Sequence, residues 1–265
     1  MTDTDEAAGR IDFALAEGVG VITLDRPAKL NAVTTSMSAA LLALVADIGA
    51  NRLAEPVRAL VVTGAGTRSF SVGSDVGEVD AYPDPWQFRN RRDYCDALRA
   101  LRIPVIAAVN GYAYGGGLEL ALSADVRLAA TQASFAAAEI KLGWIGGGGV
   151  SALLSRSVSA SDAALLLLTG DPITATEAHR MGLVSRVHDG ADLLPAALEL
   201  ARTIASRPPV AAQSAKANLH AAASMGTEAA IQYERELQAI CMGTADAAEG
   251  RRAFAEKRPP VFTGR

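Results

Sequence analysis

Two carboxylates twenty residues apart, Glu119 and Glu139, are the groups in this chain best suited to acid/base chemistry. Glu119 follows an apolar run, residues 105–109, and three consecutive glycines, Gly115, Gly116 and Gly117, after which a helical pattern begins. Glycines let the main chain come close to a ligand. The unpaired N–H groups of a helix's first turn, helped by its dipole, suit a developing negative charge. Glu119 falls in that first turn. The same residues also read as close packing of helix on sheet, with Glu119 satisfying the helix start. Glu139 sits among alanines with apolar neighbours, ahead of the run Gly146-Gly147-Gly148-Gly149, where an ionised group is costly unless it is paired or used. A local ion pair with Lys141 is the plainer account of it.

Other chemistries find no footing in the sequence. No Gly-Lys-Ser/Thr triplet closes a phosphate-cradling loop, and Asp25-Arg26-Pro27 stands where a dinucleotide fingerprint would need its glycines. A G-x-S-x-G elbow is absent, and His179, His188 and His220 have no triad partner in view. Cys95 and Cys241 lie far apart without a second ligand at metal-binding spacing, and read as buried thiols. A net charge of −4 gives no broad positive field, so nucleic acid is a poor partner. The acidic, polar first ten residues lack the features of a secretory signal. The densest apolar run, residues 163–168, falls far short of the ~18 residues that would span a bilayer. A cytoplasmic protein is expected.

Apolar runs at residues 20–24, 60–63, 105–109 and 126–129 suit strands, and none of them alternates with polar residues. Strands of that kind are covered on both faces, which indicates an α/β arrangement. Thr34-Thr35-Ser36 can cap a helix through Met37, Leu41, Leu44, Val45 and Ile48 that stops before Pro56. A helical pattern is also read over residues 86–102. After Leu193 the patterns are helical only, over residues 194–206, 210–223 and 227–241. The chain therefore divides near residue 200, into a core at 1–200 and a helical region at 201–265.

Several ordered motifs carry a family resemblance. Gly111-Tyr112-Ala113-Tyr114-Gly115-Gly116-Gly117-Leu118-Glu119-Leu120, residues 135–143, and Phe70-Ser71-Val72-Gly73-Ser74-Asp75 resemble three signature blocks of the enoyl-CoA hydratase/isomerase (crotonase) family. Arg26-Pro27-Ala28-Lys29-Leu30-Asn31-Ala32, Leu168-Thr169-Gly170 and Ala253-Phe254-Ala255-Glu256-Lys257-Arg258 extend the match, which runs from about residue 11 to the end. The resemblance implies a spiral of strand-strand-helix units with a C-terminal helical trimerisation region, assembled as a homotrimer or a dimer of trimers. It implies an enoyl-CoA hydratase of fatty acid metabolism, adding water reversibly and syn to a 2-enoyl-CoA thioester, with coenzyme A as part of the substrate and no cofactor or metal. By the same resemblance the amides of Ser74 and Gly116 form an oxyanion hole, and Glu119 and Glu139 are the catalytic carboxylates. Ala28, Lys29, Leu30, Asn31, Ser74, Asp75, Val76, Gly77 and Gly116 then touch the CoA thioester.

The chain departs from the family pattern at four places. Ala138 stands where Pro is common, Gly146-Gly147 replaces a Pro-containing pair, Gly77 replaces a Lys, and Ser74 a frequent Ala. Less backbone restraint around Glu139 is the expected result of the first two. Trp144 could narrow the acyl pocket or be ordinary core. A carnitinyl-CoA-type dehydratase shares both glutamates and the Ala-Phe-Ala-Glu-Lys-Arg ending. An isomerase would rely chiefly on Glu139. A non-catalytic CoA-binding or assembly subunit is the alternative from another class, while RNA binding is disfavoured by the acidic balance.

Overall fold

The computed structural model of the chain describes residues 9–265. It begins with a hairpin, β1 (Arg10–Ala16) paired antiparallel with β2 (Val19–Asp25). The apolar run at 20–24 supplies β2, whereas β1 mixes half-buried and exposed positions too irregularly to be read from pattern. Thr34 Oγ1 accepts the amide of Met37 at 3.2 Å and starts α1 (Thr35–Gly49), which buries Met37, Leu41, Val45 and Ile48. As expected, α1 ends ahead of Pro56. Every residue of β3 (Ala59–Gly64) is buried, and a short β4 (Ser69–Ser71) follows.

The helical pattern over 86–102 resolves into two short helices, α2 (Pro85–Arg89) and α3 (Tyr94–Arg99). The reason for the break is local. Asp93 Oδ1 accepts the amide of Cys95 at 2.8 Å, so a side chain takes a donor from the backbone ladder and starts a new helix. α2 buries no residue, and Trp86 is 72% exposed.

Beyond α3 the chain repeats one passage: a long strand, a short strand, a helix. β5 (Val105–Val109) leads to β6 (Tyr112–Tyr114) and α4 (Gly116–Leu122), and β7 (Val126–Ala130) leads to β8 (Ser134–Ala136). After a 3-10 turn at residues 138–142 come α5 (Val150–Ser157), α6 (Ala160–Thr169), β9 (Ile173–Thr174), α7 (Ala175–Met181) and β10 (Arg186–His188). The long strands form a six-stranded sheet in the order β1-β2-β3-β5-β7-β10, parallel from β2 onward. The short strands form a second sheet, β4-β6-β8-β9, with β9 antiparallel. Successive strands of one sheet are thus one turn of the chain apart, which makes the body a spiral of ββα units. Three-residue strands carry too little periodicity to be recognised in sequence, so β6 comes as an addition between the apolar run and the glycines.

Both faces of the large sheet are covered. One carries the main core, with Ile22, Leu60, Val105, Leu118 and Leu120. On the other, α8 (Gly190–Ala205) lays Leu193, Ala197 and Ala201 against Val61, Ile106 and Leu128. Residue 200 falls inside α8, and three further helices follow it: α9 (Pro209–Ala222), α10 (Thr227–Met242) and α11 (Ala245–Glu256). Lys216 anchors α9 by an ion pair to Asp125 at 2.8 Å and a bond to the Ile103 carbonyl at 2.9 Å. Asp246 accepts the amides of Thr263 and Gly264, which fastens the last residues to α11. No described helix is long and apolar enough to cross a membrane. The expectation drawn from the first ten residues lies, up to Ala8, outside the described residues.

Candidate active site

Gly115, with φ 53° and ψ −126°, turns the chain from β6 into α4 through a conformation open to glycine. One turn later Glu119, 5% exposed, points into a cavity of about 690 Å³. Its Oε1 accepts the amides of Gly148 at 2.8 Å and Val150 at 3.3 Å. A β-carbon on Gly146 would lie 2.4 Å from Oε1, and one on Gly148 2.7 Å from Oε2. The run Gly146-Gly147-Gly148-Gly149 therefore wraps Glu119. The loss of restraint expected at Glu139 from Gly146-Gly147 is replaced by a cradle around the other carboxylate.

Glu139 comes from the 3-10 turn after β8 and lines the same cavity. A β-carbon on Gly115 would sit 3.2 Å from its Oε1, while Oε2 is buried without a hydrogen-bond partner. Lys141 pairs with Asp171 at 2.6 Å and leaves Glu139 alone, so the local ion pair does not form. Burial pushes both carboxyls above the usual carboxylate range. The Gly148 and Val150 amides oppose that rise at Glu119; at Glu139 its own backbone amide opposes it and the charge of Glu119 adds to it. Of the two, Glu119 is the better solvated anion.

The loops that carry Ser74 and Gly116 meet on the wall of the same cavity. Val33 bridges Ser74 in parallel: its N–H donates to Gly73 O at 2.8 Å, and its carbonyl accepts from Asp75 N at 2.9 Å. In such a bridge the middle residue turns its own N–H to the opposite edge. The amide of Ser74 accordingly points away from Val33. Gly116 is the first residue of α4, where an N–H has no partner within the helix. A β-carbon on Gly73, φ 87°, would lie 2.6 Å from Gly116 N, so the two loops touch through glycine. Tyr94, the first residue of α3, supports the contact: its Oη is 3.3 Å from Ser74 Oγ and would be 2.9 Å from a β-carbon on Gly116. Burial raises the Tyr94 phenol well above its ordinary value and keeps it neutral.

The remaining sequence-predicted contacts divide. Ser74, Asp75, Val76 and Gly116 line the cavity with Glu119 and Glu139, and so does the half-exposed Trp144. Ala28, Lys29, Leu30 and Asn31 lie outside its wall, as does Gly77; on that side the wall is Ala32, Val33, Thr34 and Thr35. Asn31 is wholly buried, accepting Arg26 N at 3.0 Å and donating to the carbonyls of Ala65 and Ser69. It pins the turn. Asp75 pairs with the buried Arg26 at 2.6 Å and accepts Gly77 N at 3.0 Å, which fixes the segment carrying Ser74. None of the three histidines lines the cavity. Sequence reasoning missed Tyr94, Arg91 and Arg92, all cavity-lining, and the amides that bind Glu119. Only the Asp93 cap inside the 86–102 pattern signalled that a helix begins there.

Comparison with known proteins identifies the fold and the family. The family model described as enoyl-CoA hydratase/isomerase matches residues 14–265. A probable enoyl-CoA hydratase of Mycobacterium tuberculosis is 38% identical over 249 residues, covering 93% of this chain and 95% of its own. A 2,3-dehydroadipyl-CoA hydratase of Escherichia coli is 38% identical over 255 residues, covering 92% and 95%. Among solved structures, a putative enoyl-CoA hydratase from Streptomyces coelicolor superposes with a TM-score of 0.88 at 37% identity, over 96% of this chain and 94% of that one. An enoyl-CoA hydratase from Bacillus anthracis gives 0.87 at 33% identity, over 97% and 100%. The spiral of ββα units is the crotonase fold, and the chain belongs to the enoyl-CoA hydratase/isomerase family.

Proposed function

We propose that this protein is a hydro-lyase that adds water reversibly, and on one face, to the double bond of a 2-enoyl-CoA thioester. The observation that carries the reading is the meeting of two carboxylates with the loops of Ser74 and Gly116 on one cavity. As water attacks Cβ, negative charge moves to the thioester oxygen as an enolate. Donors fixed in advance, the amides of Ser74 and Gly116, stabilise it, and loss of one such donor costs about 10²–10³ in turnover. The carboxylates divide the proton transfers. Glu119, whose anion two amides solvate, takes the proton of the attacking water. Glu139, with an unpartnered oxygen and a charged neighbour, is the proton donor to Cα. Their position on one side of the substrate makes the addition syn.

The reading calls for no resident cofactor, coenzyme A being part of the substrate. The presence of both glutamates favours hydration, or the reverse dehydration of a hydroxyacyl or carnitinyl thioester, over isomerisation by one carboxylate. Loss of enoyl-thioester absorbance on crotonyl-CoA and longer enoyl-CoAs tests it. Glu119→Gln and Glu139→Gln should each lower kcat about 10²–10⁴-fold while thioester affinity holds. Full activity in either variant would remove that residue from the mechanism. Binding of CoA without hydration of any enoyl thioester would favour a non-catalytic subunit.

We also assign residues 201–265 to assembly. α10 buries no residue within the chain and exposes Ile240 and Met242, which supports a trimer or a dimer of trimers in which this face is covered.

A further inference from the structure

Four of the charged residues on the cavity wall are accounted for. Asp75 is held by Arg26, Glu78 accepts the amide and hydroxyl of Thr35 at 2.6 Å each, and Glu119 and Glu139 serve the chemistry. Two cations remain, Arg91 and Arg92, in the segment between α2 and α3. Arg91 is fixed at several points. Its Nη1 donates to the Phe88 carbonyl at 2.9 Å, Nη2 reaches Asp93 Oδ2 at 3.2 Å, and the guanidinium lies 4.3 Å from the Phe88 ring centroid. Its Nη2 would be 3.2 Å from a β-carbon on Gly147. Arg92 lines the cavity, is exposed, and has no hydrogen bond or ion pair among the described residues.

The location of Arg91 says what the segment faces. Gly147 belongs to the turn that wraps Glu119, the group that acts at Cβ in the function proposed above, on which this inference rests. A thioester with its oxygen between Ser74 and Gly116 sends coenzyme A away from the sulfur and the acyl chain onward past Cβ. The chain therefore passes Glu119 and runs toward Arg91. Phe88, Trp144 and Ile145 give that side of the cavity apolar surface for methylene groups. Guanidinium groups at the end of such a path match a carboxylate, which they bind in a planar, two-pronged geometry.

We propose that Arg91 and Arg92 form a carboxylate subsite at the acyl end of the cavity, and that the substrate class is the mono-CoA thioester of an unsaturated dicarboxylic acid. Arg91 supplies a fixed donor set, already partly neutralised by Asp93, and Arg92 supplies the uncompensated charge.

Calorimetric titration with saturated ligands, which cannot be hydrated, reads the subsite apart from turnover. The ligands are hexanoyl-CoA, its counterpart with a terminal carboxylate (adipoyl-CoA), and free CoA. The wild type should bind adipoyl-CoA about tenfold or more tightly than hexanoyl-CoA. Arg92→Gln should bring that ratio close to one, Arg92→Lys should keep most of it, and Arg92→Glu should reverse it. Equal affinity for the two thioesters in the wild type overturns the proposal. So does an Arg92→Gln variant that loses affinity for both thioesters and free CoA alike, which would assign the arginine to the CoA phosphates. A carboxylate preference in a protein that hydrates no enoyl thioester would uphold the subsite and defeat the hydratase reading instead.

Discussion

Glu119 and Glu139 differ in how their charge is received. Oε1 of Glu119 meets two amides, whereas Oε2 of Glu139 is buried with none. A buried carboxyl whose folded pKa lies above its unfolded value imposes no penalty below about pH 4, where both states are protonated, and destabilises the fold as pH rises through the folded value. Glu139→Gln removes that penalty. Its melting temperature should match the wild type near pH 4 and exceed it at pH 8 by roughly 2–4 °C for each kcal/mol relieved. A calorimetric scan at the two values checks this, and a constant difference would refute it. At this scale the sequence was informative where a residue type stood out against its neighbours, as each glutamate does among alanines and glycines. It was misleading about Gly146-Gly147, which tightens the surroundings of Glu119, because which carboxylate a loop encloses depends on the path between strands. Tyr94, Arg91 and Arg92 escaped notice for a related reason. Each reaches the cavity from a helix boundary that the hydrophobic pattern had concealed.

At the scale of elements, the segment after β4 depends on a few contacts. Asp75 bonds Arg26 and Gly77, and the Val33 bridge orients the Ser74 amide. Arg26, first among the causes, holds the Asp75 carboxyl below its usual range. Its contribution to stability is therefore present above the unfolded value, near pH 4, and is lost as pH falls through the folded one. With Asp75 partly solvent-accessible, Asp75→Asn should cost about 1–3 kcal/mol at pH 7, less at pH 3, and should lower kcat by loosening the Ser74 donor. Denaturant unfolding at both pH values together with turnover tests this. Unchanged stability would mean that the Val33 bridge alone is sufficient. Long strands such as β3 and β5 were legible because four or five consecutive apolar residues leave little alternative. The three-residue strands β4, β6 and β8 were not, since they owe their existence to pairing with one another.

For the whole molecule, the helical region shows how far composition reaches. The pattern identified α9 and α10 with ends within one or two residues, and residue 200 falls in a helix that covers the large sheet. Helical periodicity reports an apolar face without naming what it meets. α10 finds no complete cover within the chain, so light scattering should give a mass at least three times that of one chain, and Ile240→Glu with Met242→Glu should lower it. A monomer at micromolar concentration would contradict this. Ser74 and Gly116 leave β4 and β6, which are parallel neighbours. Their separation is thus governed by the lattice of main-chain pairing, about 4.8 Å from strand to strand, and hardly at all by residues 78–92 in the excursion between them. Insertions, deletions or replacement in that stretch, ahead of Asp93 and Tyr94, can retune which acyl groups are admitted while the reaction centre keeps its dimensions.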